Sequence, residues 1–197
     1  MTTATATPPL MTAEEFEALP DDGVERRLIR GVLYERRPAP GGDGMTKRNR
    51  FHSRVMMRVG HLLLTWADRQ PEPRGQVVGG EAGFILRRNP DSTAGIDVAY
   101  VSPATVAVQT DATTLFDGPP VLAVEILSPN NTHQEVVDKL RDYLTSGVAV
   151  VWVVDPDLQT VAVYRPAGPL ALFGPTQTLT GDPELRGFAG RVADFFR

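Results

Sequence analysis

The sequence contains no cysteine, and this absence excludes disulfide bonds, thiolate nucleophiles and cysteine-ligated zinc. It also lacks any apolar run near the roughly 20 residues that a membrane-spanning helix requires. Residues 1–9 are rich in threonine, alanine and proline, without the basic and apolar regions of a secretory signal. We therefore expect a cytoplasmic protein with no membrane partner, because a reducing compartment suits a cysteine-free chain.

A large excess of charge is absent as well, since 20 basic residues against 24 acidic residues leave a net charge of −4. This balance argues against a protein that coats nucleic acid through general electrostatic attraction. With 197 residues, 42% of them hydrophobic, the chain can bury one core but is short for two. We expect a disordered tail over residues 1–10 and a single domain over residues 11–197.

Hydrophobic periodicity and turn residues predict the order helix, hairpin, long helix, strands, helix, strands. The predicted helices cover residues 11–20, 47–70 and 133–145, and the predicted strands cover residues 25–29, 32–36, 75–86 (bent, or a hairpin), 96–101, 120–127, 148–154 and 159–164. A mobile loop is predicted over 38–44, a polar loop over 87–95 and a short docking turn over 192–196. This order predicts a mixed α/β domain with one central sheet and helices on its faces.

The long predicted helix carries an apolar series at spacings of three and four, which predicts one buried stripe. The series consists of Phe51, Val55, Val59, Leu62 and Trp66. His52 lies at the flank of this stripe. It is either a half-buried structural histidine or a contact for an external ligand.

Three arginines, Arg50, Arg54 and Arg58, recur every four residues on a neighbouring face of the same helix. Like charges at this spacing repel one another by a few tenths of a kcal/mol per pair. A polyanion such as nucleic acid would relieve that repulsion, and a solvated helix face is the simpler alternative.

Two acidic residues interrupt apolar runs that read as buried strands. Glu125 lies within residues 121–127, and Asp97 lies within residues 96–101. A buried carboxylate is costly unless a positive group meets it. Either acid alone could sit at a strand end or pair with an arginine. Because consecutive strands are often neighbours in a sheet, the two acids together predict a shared site.

Such a site has the donors that a hard divalent cation prefers. Asp97, Glu125 and the main-chain carbonyl of Ile126 would form an all-oxygen shell suited to Mg²⁺ or Mn²⁺. Lys139 and Tyr143 are four residues apart on the following predicted helix and therefore share a face. If that helix packs on the Glu125 strand, Lys139 points towards the acids. An ordinary solvated lysine is the alternative.

These motifs, in this order, resemble the Uma-type restriction endonuclease family of the PD-(D/E)XK nuclease superfamily. The resemblance is carried by Asp97, the segment VEILSP at 124–129, Lys139 with Tyr143, and the segment VWVVDP at 151–156. The hairpin and the His52 helix stand in the expected order, so the resemblance covers about residues 12–197. It implies a restriction-endonuclease-like core with an N-terminal helix and hairpin. It also implies metal-dependent hydrolysis of DNA phosphodiester bonds and a homodimer.

The resemblance further implies that Asp97 and Glu125 are metal ligands and that Lys139 is the catalytic lysine, moved from the strand to the helix. Leu127 stands two residues after Glu125, where the superfamily pattern has lysine. Ile96 replaces the proline of the superfamily name, but proline supplies no ligand.

A glutamate often begins the N-terminal hairpin motif in this family. Here the aligned residue is Arg27, and Glu25 stands two positions earlier. Two residues along a strand share a face, so Glu25 is a candidate replacement in the catalytic set.

Two other functions remain open from the residues alone. One is a catalytically weak or inactive nuclease-fold module that binds nucleic acid or protein, since fold does not determine function. The other is a structural dimer module built on the apolar strand at 148–154. Convergence of Glu25, Asp97, Glu125 and Lys139 would favour the enzyme, whereas a solvent-facing Lys139 would favour the alternatives.

Overall fold

The computed structural model describes residues 10–36, 50–110, 114–129 and 131–197, without the side chains of Glu25 and Arg36. The predicted N-terminal tail, apart from residue 10, lies outside the described residues. So do the predicted loop at 38–44 and the predicted helix start at 47–49.

The described residues form four α-helices, eleven strands and one 3₁₀ helix. In chain order these are α1 (Ala13–Glu17), β1 (Glu25–Ile29), β2 (Val32–Arg36), α2 (Arg50–Ala67), β3 (Gln76–Arg87), β4 (Ser92–Val101), α3 (Pro103–Ala107), β5 (Phe116–Asp117), β6 (Leu122–Ile126), α4 (His133–Thr145), β7 (Val150–Asp155), β8 (Thr160–Tyr164), β9 (Ala171–Phe173), β10 (Thr178–Thr180), β11 (Ala189–Arg191) and the 3₁₀ helix Val192–Phe195. The predicted hairpin, α4 and the C-terminal docking turn are all present.

A seven-stranded mixed sheet forms the centre of the fold, in the order β5-β3-β4-β6-β7-β8-β9. Strands β4 and β6 are antiparallel neighbours, and β6 pairs in parallel with β7. The two strands that carry Asp97 and Glu125 are therefore adjacent. Helices cover both faces of the sheet, which confirms the predicted architecture.

Helix α2 packs on one face of the sheet through Val55, Val59, Leu63 and Trp66, all of which are buried. The predicted stripe is wrong at Phe51, which is 46% exposed. Leu62 is partly buried and packs against the core, and the neighbouring Leu63 is fully buried. The apolar stripe of a helix drifts around the helix axis because the period is 3.6 residues. The face of α2 that contacts the sheet is therefore rotated slightly from the line of the predicted series.

Helix α4 covers the opposite face, where Tyr143 packs with Ala123, Val151 and Val153. Its first turn is closed by a capping box between Thr132 and Glu135, which explains why the helix begins where the sequence predicts.

The predicted polar loop at 87–95 is wrong, because β4 begins at Ser92 and only a tight turn precedes it. The polar residues Ser92 and Thr93 are buried within this strand. Ser92 Oγ accepts a hydrogen bond of 2.8 Å from the Arg30 amide in the N-terminal hairpin. A polar stretch can form a buried strand when another element supplies such partners.

Strand β3 is one bent strand and not a hairpin, and its pairing with β4 shifts register between Gly79 and Ala82. Gly80 and Glu81 form the irregularity with positive φ angles of 81° and 62°. None of the helices in the described residues is long and apolar enough to cross a membrane.

Candidate active site

Strands β4 and β6 separate next to Asp97. The last pair of residues in register is Val98 with Val124. Beyond this pair, the side-chain carboxylate of Asp97 takes the place of the main-chain hydrogen bonds between the two strands. Asp97 Oδ2 accepts a hydrogen bond of 2.8 Å from the Ile126 amide. This contact holds Asp97, which is only 7% exposed, at the carboxyl end of β6.

The first turn of α2 supplies a second partner for Asp97. His52 Nε2 lies 3.1 Å from Asp97 Oδ2. Burial alone would raise the pKa of Asp97, but the hydrogen bonds from His52 and the Ile126 amide outweigh it and hold that pKa below its ordinary value. Asp97 is therefore ionised at neutral pH.

Glu125 points to the α4 side of the sheet, where Lys139 and Tyr143 meet it. Lys139 Nζ lies 2.5 Å from Glu125 Oε2, and the Tyr143 hydroxyl donates to Glu125 Oε1 at 2.5 Å. The i, i+4 spacing places both donors on the face of α4 that contacts β6. Lys139 therefore points into the site.

The burial of Glu125 and Tyr143 shifts the pKa values of both groups. Burial raises the pKa of Glu125, and the charge of Asp97 adds to that effect against the attraction of Lys139. Burial and the neighbouring Glu125 carboxylate raise the pKa of Tyr143 well above its ordinary value. Tyr143 is consequently a permanent hydrogen-bond donor near neutral pH.

The donors fit a hard divalent cation that keeps several water ligands. Two buried carboxylates face a single ammonium group from Lys139, so an additional positive charge is accommodated. Among the residues that the structure describes, no group of three or more His, Asp or Glu side chains is arranged to hold a metal ion. Asp97 and Glu125 would thus be the main side-chain ligands, which matches the preference of Mg²⁺ for a few carboxylates plus water.

One predicted site residue has no described side chain, and another has a role that the sequence analysis did not predict. Glu25 is the first residue of β1, but its side chain lies outside what the structure describes. The amide of Ile126 binds Asp97, and this donor role was not anticipated from the sequence. An aspartate within an otherwise apolar strand is the signal that could have indicated it.

The arginines of α2 have partners within the chain. Arg54 Nη2 donates to the Phe196 carbonyl at 3.1 Å, and Arg58 Nε donates to the Arg197 carbonyl at 2.7 Å. The Arg50 guanidinium lies 4.7 Å from the centroid of the Phe51 ring. The series therefore has partners within the chain and does not require an external anion. His52, a candidate for the same surface, reaches Asp97.

Comparison with known proteins agrees with this fold. The Uma2 family model, described as "Putative restriction endonuclease", matches residues 13–193. No curated protein matches the chain. A crystal structure described as "a putative nuclease belonging to DUF820" from Anabaena variabilis is similar, with a TM-score of 0.71 and 21% identity over 94% of this chain and 97% of that chain. At that identity the likeness shows the fold alone, whereas the family match spans most of the sequence, and the chain therefore belongs to the Uma2 family of restriction-endonuclease-like proteins.

Proposed function

We propose that this protein is a metal-dependent endonuclease that hydrolyses DNA phosphodiester bonds at the site formed by Asp97, Glu125 and Lys139. The observation that carries the proposal is the convergence of two buried carboxylates from adjacent strands with a lysine from α4, at 2.5 Å from Glu125. Membership of the Uma2 family supports the same reaction class.

In this proposal Asp97, Glu125 and the Ile126 carbonyl hold Mg²⁺ or Mn²⁺. Such an ion, when bound, polarises a phosphoryl oxygen and lowers the pKa of a coordinated water. His52 fixes the orientation of the Asp97 carboxylate through its hydrogen bond. Tyr143 does the same for Glu125.

Lys139 has a second task beside its ion pair with Glu125. Its side chain is 30% exposed, so its remaining N–H groups can face a phosphate in the open part of the site. There a fixed ammonium group offsets the negative charge that develops on the phosphate oxygens, and it can orient the attacking water.

The DNA backbone would be held by positive groups beside this site. We propose Arg50 as a phosphate contact at the start of α2, with Arg54 and Arg58 as further candidates. A guanidinium has five N–H donors, so the main-chain contacts of Arg54 and Arg58 leave donors for phosphate. Glu25 remains a proposed fourth member of the catalytic set.

We also propose a cytoplasmic homodimer in which residues 11–197 of each chain form one nuclease domain, because cutting both strands of a duplex takes two sites. Light scattering on the purified protein tests the assembly. A monomer that nicks single strands would overturn the dimer and leave the reaction intact.

A nuclease-fold binding module is the second candidate, and one observation favours it. Both oxygens of Glu125 already accept hydrogen bonds, from Lys139 and Tyr143. A carboxylate so occupied can bind a metal only if these contacts are shared or released.

Nicking of supercoiled plasmid at low salt in Mn²⁺ or Mg²⁺ separates the two candidates. We expect nicking by the wild type and a loss of at least about a hundredfold in Glu125→Gln, which keeps the shape of the side chain. Glu72→Gln, in an exposed loop, is the matched control and should nick normally. Equal nicking by all three proteins would overturn the site. Absent nicking with salt-sensitive DNA binding would favour the binding module.

A further inference from the structure

A cleft of about 260 Å³ opens beside the candidate active site. It is lined by Phe51 and His52 from the first turn of α2 and by Asp157 and Gln159 from the β7–β8 turn. Pockets for drug-sized ligands begin near about 300 Å³, so the cleft has room for one planar ring system but not for a duplex.

Leu127 connects this cleft to the catalytic cluster. It lines the cleft, and it also lines the smaller pocket that contains Glu125 and Lys139. The chain advances about 3.3 Å per residue in a strand, so Leu127 is within about one nucleotide of Glu125. His52 is a second link, because it lines the cleft while its Nε2 atom contacts Asp97.

The lining resembles a base-stacking surface. Phe51 is 46% exposed, and the Arg54 guanidinium lies 5.7 Å from the centroid of its ring. Phe196 also lines the cleft, and its carbonyl is the acceptor for Arg54. Aromatic rings and guanidinium planes are the groups on which unpaired bases stack in proteins that bind single strands.

The lining of the cleft carries charges of both signs. Asp157 and Arg54 both line the cleft, so their opposite charges offset one another there. A carboxylate repels phosphate, but it accepts hydrogen bonds from the amino and ring N–H groups of bases. Gln159 adds an amide with both donors and an acceptor.

The β7–β8 turn is preformed. Asp155 Oδ1 accepts hydrogen bonds from the amides of Asp157 at 2.9 Å and Leu158 at 3.0 Å. Gln159 follows with a φ of 53°, a conformation in which a residue other than glycine is uncommon. The turn thus presents Asp157 and Gln159 to the cleft from a fixed backbone.

We propose that this cleft binds a single nucleobase of DNA, from a nucleotide next to the scissile phosphate and unstacked from its neighbours. The inference rests on the proposed function, because the base is identified as part of the DNA cleaved at Asp97 and Glu125. A base can enter so narrow a cleft only after leaving the duplex stack. The preferred substrate is therefore single-stranded, frayed or mismatched DNA.

Two labelled probes test the cleft without requiring cleavage. One is an oligothymidylate of about twelve nucleotides, and the other has the same backbone with abasic residues, so the probes differ in bases but not in phosphate charge. Binding is measured by fluorescence anisotropy in EDTA. Since stacking of one base on an aromatic ring is commonly a tenfold effect or more, we expect about tenfold tighter binding of the oligothymidylate by the wild type.

Two variants assign that preference to the cleft. Phe51→Ala removes the exposed ring, and Gln159→Gly removes the amide at a positive φ that glycine adopts without strain. We expect Phe51→Ala to lose most of the preference and Gln159→Gly to weaken it about threefold. Leu158→Ala changes an exposed residue of the same turn and should retain it. Thermal melting checks that each variant is folded.

The same samples are assayed for plasmid nicking in Mn²⁺, so that the two proposals fail separately. Nicking without any preference between the probes overturns the base cleft and leaves the nuclease standing. A preference that Phe51→Ala removes, without nicking, supports the cleft and overturns the catalytic function. No binding of either probe, or a preference that survives both variants, overturns the cleft.

Discussion

His52 Nε2 lies 3.1 Å from Asp97 Oδ2, although 45 residues separate the two in the chain. The contact joins the start of α2 to the point where β4 leaves β6. It is also one of the two hydrogen bonds that hold the pKa of Asp97 below its ordinary value.

We expect His52→Ala to lower nicking activity by about tenfold to a hundredfold, the usual cost of losing a residue that orients a metal ligand. Without this hydrogen bond the pKa of Asp97 rises, so the acid limb of the pH–rate profile moves to higher pH. His61→Ala, an exposed histidine of the same helix, is the control. An unchanged profile in folded His52→Ala would contradict the positioning role.

The same variant has a predictable effect on stability. A carboxyl group with a lowered pKa stabilises the fold above its unfolded pKa, and this contribution is lost as the pH falls through the folded value. We expect His52→Ala to reduce the free energy of unfolding by about 1 kcal/mol at pH 7. The difference from wild type should shrink in acid, as followed by urea denaturation.

Lys139→Met should nick at least about a hundredfold more slowly and should lose stability in a pH-dependent way. The pKa of Glu125 is already raised by burial, and removal of the ammonium raises it further. A raised pKa favours the fold at low pH, and that stability is lost as the pH rises through the folded value. We expect a loss of about 1–3 kcal/mol at pH 8 and a smaller loss at pH 5.

Arg141→Met is the matched control for Lys139, because it lies on the same helix with a side chain that is 63% exposed. It should change the free energy of unfolding by less than about 0.5 kcal/mol at either pH. If Lys139→Met behaved in the same way, Lys139 would have no part in the buried cluster.

Tyr143→Phe removes the donor to Glu125 Oε1 and keeps the buried ring. Because the hydrogen bond from Tyr143 stabilises the ionised Glu125, its loss raises the pKa of Glu125, and the acid limb of nicking should move to higher pH. A stability loss of about 1–2 kcal/mol is expected from the buried partner left behind. Tyr34→Phe, which changes an exposed tyrosine, should alter neither measurement.

Arg50→Gln tests the proposed phosphate contact at the start of α2. If the guanidinium neutralises one phosphate, the slope of log affinity against log salt should fall by about 1 in magnitude. Arg69→Gln, just beyond the other end of the helix, should leave the slope unchanged. Equal slopes for the wild type and Arg50→Gln would remove Arg50 from the DNA surface.

Local chemistry in the sequence was sufficient for most of the fold. The N-terminal hairpin follows from its residue pattern, and α4 begins at His133 because Thr132 and Glu135 close its first turn. The apolar run around Glu125 predicts a buried strand. The spacing of Lys139 and Tyr143 predicts that they share a helix face. Each of these signals acts over a few residues, so it can be read along the chain.

The tertiary structure decided which distant groups meet. Because β4 and β6 separate next to Asp97, the Ile126 amide can donate to its carboxylate. The packing of α2 on the sheet places His52 next to the same carboxylate. The carbonyls of Phe196 and Arg197 accept hydrogen bonds from Arg54 and Arg58, so the arginine series has a partly structural role. Such contacts depend on how whole elements pack. The sequence by itself determined the elements and the acidic, basic and hydroxyl groups available, and packing determined their partners.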